Sequence, residues 1–154
     1  MENYNEEFKL DLPRYAMPPV GMHKGVLARL SKSKNKSKYS GEMVEKYGLH
    51  FQLLTDNEET GRRFTAVAFF TPSLGKNSRM YKFLCSWLGQ SSLSKSDLEF
   101  LQKKGLTEYV GRCGYLSIVH SEDGAFANIN SIAPLPQSDW FEPIDYNADT
   151  ETPF

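Results

Sequence analysis

Cysteine is scarce: the 154-residue chain has only Cys85 and Cys113. They form no CxxC pair, and a disulfide scaffold needs more of them, so both read as reduced structural thiols. Histidine is almost as rare. His23, His50 and His120 are scattered, with no HExxH or other metal-ligand spacing, so neither a metal nor a cofactor is expected. No apolar run approaches the ~20 residues of a membrane span. Residues 1–7 (MENYNEE) lack the basic start and apolar stretch of a signal peptide, so a cytoplasmic location is expected. Catalytic motifs are missing too. No G-x-S-x-G occurs. Residues 70–77 superficially resemble a P-loop, but Phe70 stands where the first glycine is needed and Asn77 where the magnesium-binding hydroxyl belongs. Carboxylates cluster in turns and near the C-terminus, where large pKa shifts are not expected. The chain reads as a non-enzyme.

What is present suits one domain with extensions. Forty per cent of residues are apolar or aromatic and 13% are aromatic, enough to bury a core. The net charge of -1 conceals an asymmetry. Asp139, Glu142, Asp145, Asp149 and Glu151 face no Lys or Arg within residues 139–154, which leaves residues 1–138 net basic. A basic body with an acidic tail points to a polyanion partner or, more plainly, to a solubilising tail.

Residues 1–19 read as an arm, broken by Pro13, Pro18 and Pro19. A first strand is expected in the Val20–Leu30 region. Residues 31–41 then alternate lysine with small polar residues. They have no apolar face, so a mobile loop is expected. Residues 46–55 read as a second strand, with Tyr47, Leu49, Phe51 and Leu53 on one face and Lys46, His50 and Gln52 on the other. Residues 62–71 form a third. Met80, Phe83, Leu84, Trp87 and Leu88 have helical spacing, with Ser78 able to cap the start and Gly89 the end. A second helix starts at Ser94 and ends at Gly105. Residues 115–121 and 126–132 flank Asp123-Gly124, a strong hairpin signal. The element order is β-β-β-α(α)-β-β.

Five short strands with a helical insertion between the third and fourth match a mainly β fold, the five-stranded OB-fold barrel, here spanning residues 20–136. Several segments resemble phage-encoded OB-type single-stranded DNA-binding proteins of replication and recombination clusters. They are Tyr15–Gly21, Phe64-Thr65 with Ser73-Leu74, Met80 to Gly89, and Leu116 to Pro136. The likeness covers roughly residues 15–136. It implies single-stranded DNA binding in replication, recombination or repair, in a bacterial host cytoplasm, with a homo-oligomer open. Residues 137–154 read as a disordered acidic tail. Its end, with Asp149, Glu151, Pro153 and Phe154, is similar to the tip of bacterial single-stranded DNA-binding proteins. That resemblance implies an anchor for replication or recombination proteins: the terminal Phe enters an apolar pocket and the acids meet basic residues around it. The tips of that family carry denser runs of Asp.

Sequence-independent single-strand binding needs cations for phosphates and aromatic rings for bases. Lys32, Lys34, Lys36, Lys38 and Tyr39 lie between strands one and two, where OB-folds commonly bind oligonucleotides. Lys46 and His50 lie on the polar face of strand two, and Arg62 and Arg63 open strand three. Of Phe69 and Phe70, adjacent on a strand, only one can face the core. Parity does not decide which; the resemblance implies Phe69 outward. Phe126, Asn128 and Asn130 share a polar face of the last strand. Trp87 has the spacing of a core residue. The same barrel could serve without DNA, as a protein-interaction module or an inhibitor of a host nuclease or helicase. Failure of Phe69, His50 and Arg63 to share one exposed surface favours that alternative. Stacking and phosphate contacts do not read the 2′-OH, so RNA is a further possible ligand.

Overall fold

The computed structural model describes residues 16–37 and 39–146. Lys38, Asp149, Glu151, Pro153 and Phe154 lie outside the described residues. Five strands form one open antiparallel sheet in the order β3-β2-β1-β4-β5. They are β1 (Gly21–Lys36), β2 (Met43–Asn57), β3 (Arg62–Phe70), β4 (Cys113–His120) and β5 (Ala127–Pro134). Two helices, α1 (Arg79–Leu88) and α2 (Lys95–Lys104), come between β3 and β4, followed by a 3-10 turn at Gly105–Tyr109.

The expectation of a mobile lysine loop is wrong for residues 31–36. They continue β1 and pair with β2, from Ser31 opposite Gly48 to Lys36 opposite Met43. Burial does not order this stretch; the backbone ladder does, since every strand needs partners for its N–H and C=O groups. Two cross-strand pairs add to it: Lys34 opposes Glu45, and Lys32 lies 5.5 Å from the Tyr47 ring centroid. The β3 ladder starts only at Tyr47. Beyond that point β1 and β2 project as a two-stranded ribbon, with Tyr39 near its tip fully exposed.

Helix α1 forms where its caps place it. The Ser78 hydroxyl accepts from the Tyr81 N–H, and Gly89 closes the helix at φ 70°. Its apolar stripe packs Leu84 and Trp87 against Phe51, Phe70 and Ile132 of the sheet. Trp87 is buried and donates its indole N–H to the Cys113 carbonyl at 2.9 Å. In α2, Ser94 caps Asp97 in the same way. The inner face of the sheet and one face of each helix thus share a single core. The two edge strands, β3 and β5, come within 8 Å of each other, and α1 packs against β5 beside them.

Residues 137–146, expected to belong to a disordered acidic tail, are docked on the sheet. After a 3-10 turn at Gln137–Asp139, the chain crosses the outer face of the sheet. Trp140 and Phe141 pack on a second apolar cluster of Val26, Cys113 and Leu135. The Gln52 side chain holds Ile144 twice, donating to its carbonyl at 2.6 Å and accepting from its N–H at 2.8 Å. Apolar anchors and a buried amide dock this strap despite its charge. The proline-rich segment before β1 is also tied down: the Pro19 carbonyl accepts from His23 at 2.7 Å and the Pro18 carbonyl from His120 at 2.8 Å.

Candidate functional site

A bulge between Leu27 and Arg29 sets which residues of β1 face outward. Before it, Leu27 opposes Phe51 in the core; after it, Arg29 opposes His50 on the outer face. On that face Ser31 opposes Gly48, and Gly48 opposes Phe69. The His50 Nε2 and Ser31 Oγ are hydrogen-bonded at 2.7 Å. The His50 and Phe69 rings meet edge to face, with centroids 6.5 Å apart. Gly48 is what lets them converge: a Cβ there would collide with Ser31 Oγ and lie 3.0 Å from the Phe69 ring and 3.2 Å from His50 Nε2. Burial, and secondarily the Arg29 charge, holds the His50 pKa below its ordinary 6.5.

The adjacent phenylalanines of β3 have opposite fates. Phe69 is 51% exposed, whereas Phe70 is 4% exposed. Phe70 packs against Phe83 with centroids 4.9 Å apart. Phe69 therefore presents an aromatic face to solvent beside His50, with Lys46 on the same side of β2.

Other expected residues are placed elsewhere. Lys32 opposes Tyr47, which opposes core-facing Phe70, so Lys32, Lys34 and Lys36 lie on the ribbon side opposite His50 and Phe69. Arg63 shares the outer face with Phe69, but the strap engages it. Its guanidinium donates to the Glu142 carbonyl at 2.8 Å and lies 5.0 Å from the Phe141 ring centroid. Its backbone N–H donates to the Tyr146 hydroxyl at 2.9 Å. Arg62 lies 4.9 Å from the Tyr146 ring centroid. Both arginines contact the C-terminal segment; Arg63 is hydrogen-bonded to it, whereas Arg62 stays exposed on the Tyr146 ring. Between strap and sheet is a cleft of 470 Å³ that reaches Arg29, His50 and Thr65.

A second cleft, of 690 Å³, separates the edges of β3 and β5. Phe69 and Asn128 both line it, together with Asn130 and, from α1, Arg79, Lys82 and Ser86. Phe126 lies just before β5 and is 65% exposed. Sequence reasoning missed Arg79 and Lys82. Their signal is visible only in part: they sit off the apolar stripe of a helix, but nothing local says that this helix lies beside the gap between two distant strands. Ser31 and Gly48 were missed for the same reason, since their pairing depends on long-range register.

Among the described residues, no group of three or more His, Cys, Asp and Glu side chains could hold a metal ion, and no helix is long and apolar enough to cross a membrane. No protein-family model and no curated protein matches the chain.

Proposed function

We propose that this chain is a single-stranded DNA-binding protein of OB type that acts in phage replication, recombination or repair. The strand order, the approach of β3 to β5 and the helical insertion between β3 and β4 support a partly open five-stranded barrel. The observation that carries the functional reading is the exposed Phe69 ring set against His50, with Arg29 and Lys46 on the same face. An exposed aromatic stacks a base of any sequence, and nearby cations take the phosphates. The C-terminal Pro153-Phe154, preceded by Asp149 and Glu151, is the recruiting element for a replication or recombination partner.

Fluorescence anisotropy with labelled single-stranded DNA, duplex DNA and RNA of equal length tests this reading. Single-stranded DNA is expected to bind best, with log K falling as log salt rises by about 0.7 per phosphate neutralised. No binding of single strands at low salt refutes it. One observation favours the second reading, a protein-interaction module: Arg63 shares its face with His50 and Phe69 but is engaged by the strap. In that case no oligonucleotide binds, while a host nuclease or helicase is inhibited.

A further inference from the structure

We infer that the cleft between the edges of β3 and β5 holds a second stretch of the bound strand, with phosphates on Arg79 and Lys82 and unpaired base edges on Asn128 and Asn130. The inference rests on the single-strand reading above and extends it to a surface away from the ribbon and its lysines.

The cleft has the chemistry of a single-strand channel. None of the residues lining it is acidic. Arg79 and Lys82 are three positions apart on α1, so they share one helix face, and Ser86 continues the row one turn on. All three are exposed. Arg79 is positioned: its guanidinium lies 5.5 Å from the Phe70 ring centroid, and Phe70 is itself fixed against Phe83. A guanidinium on an aromatic face keeps its charge and in-plane donors while losing rotamer freedom, which favours phosphate recognition. On the other wall, Asn128 and Asn130 alternate along β5 with their side chains exposed. Each amide offers donors and an acceptor, so it can pair with the open edge of any base. A duplex hides those edges; a single strand shows them. Phe69 belongs both to this cleft and to the outer-face pair with His50, so a base stacked there is shared by the two surfaces.

Oligonucleotide length separates the two surfaces. Full-length wild type, Arg79→Ala/Lys82→Ala, Asn128→Ala/Asn130→Ala and Phe69→Ala are compared on oligo-dT of about 6 and about 20 nucleotides, one near the lower end of the site sizes of such barrels and one beyond the upper end. For the Arg79/Lys82 double variant on the long strand, the salt slope is expected to flatten by about 1.4, and affinity at low salt to fall on the order of 10- to 100-fold. On the short strand the loss is several-fold smaller, whereas Phe69→Ala weakens both. The asparagine variant loses affinity on the long strand without a change of slope. Lys82→Glu, which leaves the Arg79–Phe70 stack intact, repeats the long-strand loss and guards against a folding artefact. An unchanged slope and affinity on the long strand overturns the inference while leaving the proposed function standing. Equal losses on both lengths overturn it as well, because the cations then act on the Phe69 surface alone. Wild-type protein that binds neither strand overturns the proposed function and this inference with it.

Discussion

Phe69 and Phe70 are neighbours in sequence, and the structure predicts that removing them has opposite consequences. Phe69 is half exposed and touches His50 edge-on, so Phe69→Ala removes little buried surface. Under the proposed function it removes a stacking platform, worth about 1–3 kcal/mol per base, or roughly 5- to 150-fold in affinity. Phe70 is buried among Phe83 and the Arg79 guanidinium. Truncating a buried phenylalanine costs about 3–5 kcal/mol, and in a domain of this size each 1 kcal/mol moves Tm by about 2–4 °C. Phe70→Ala is therefore expected to lower Tm by about 6–20 °C. At a temperature where it is still folded, it loses affinity only to the extent that Arg79 is released. Thermal melts and anisotropy titrations on both variants separate the effects. The reasoning fails if Phe69→Ala binds single strands within twofold of wild type, or if Phe70→Ala keeps its Tm and loses binding.

The strap makes a graded prediction about truncation. Ending the chain after residue 146 leaves Arg63 engaged, whereas ending it after residue 138 releases it from the strap and leaves its bond to Gln52. Single-strand affinity at low salt should rise in both cases, but only the longer deletion should steepen the salt slope, by about 0.7, and it also lowers Tm by stripping Phe141 from Val26 and Cys113; equal slopes for the two truncations refute this. Gly48→Ala forces a Cβ against Ser31, His50 and Phe69, so it should cost about 1–3 kcal/mol of stability and weaken DNA binding together; unchanged Tm and affinity count against the close approach. His50 titrates below its ordinary 6.5, so the fold prefers its neutral form. Its contribution to stability is fully present above about 6.5 and is lost as pH falls through the lowered native value. A bound phosphate pulls the other way, so DNA affinity should rise over the window in which DNA-free stability falls. His50→Gln should flatten both profiles in denaturant and anisotropy titrations, and a profile that keeps its shape rejects the role of His50.

The sequence was most legible where burial writes a period. Leu49, Phe51 and Leu53 alternate into the core of β2, and the stripe of α1 from Met80 to Leu88 lies between the two caps that Ser78 and Gly89 announce. It was least legible where order comes from something other than burial. Residues 31–36 carry no apolar face, yet their backbone has partners along β2, so composition alone read a strand as a loop. In the strap Asp139, Glu142 and Asp145 give an acidic composition, while docking comes from Trp140, Phe141 and Ile144, which have no periodic spacing. The polar face of β2 was placed correctly, but the bulge that aligns Arg29 with His50 left no mark in sequence.

Turning the lysine loop into a ribbon changes how its charge can act. On a mobile loop, four lysines could gather around any phosphate. On a ladder, Lys32, Lys34 and Lys36 are fixed to one side at about 6.8 Å intervals. Their side continues the core face, whereas Lys46 sits on the other with Arg29, His50 and Phe69. A strand stacked on Phe69 can reach the three lysines only by passing around the ribbon. From the same ring, the β3–β5 cleft offers two cations without that detour. The basic character of the body therefore divides between the ribbon lysines, on the side opposite Phe69, and the cations of the β3–β5 cleft, which Phe69 lines. The strap covers Arg63. Phe69 is the residue on which the proposed single-strand function depends, and under that proposal the lysine-rich segment lies apart from it.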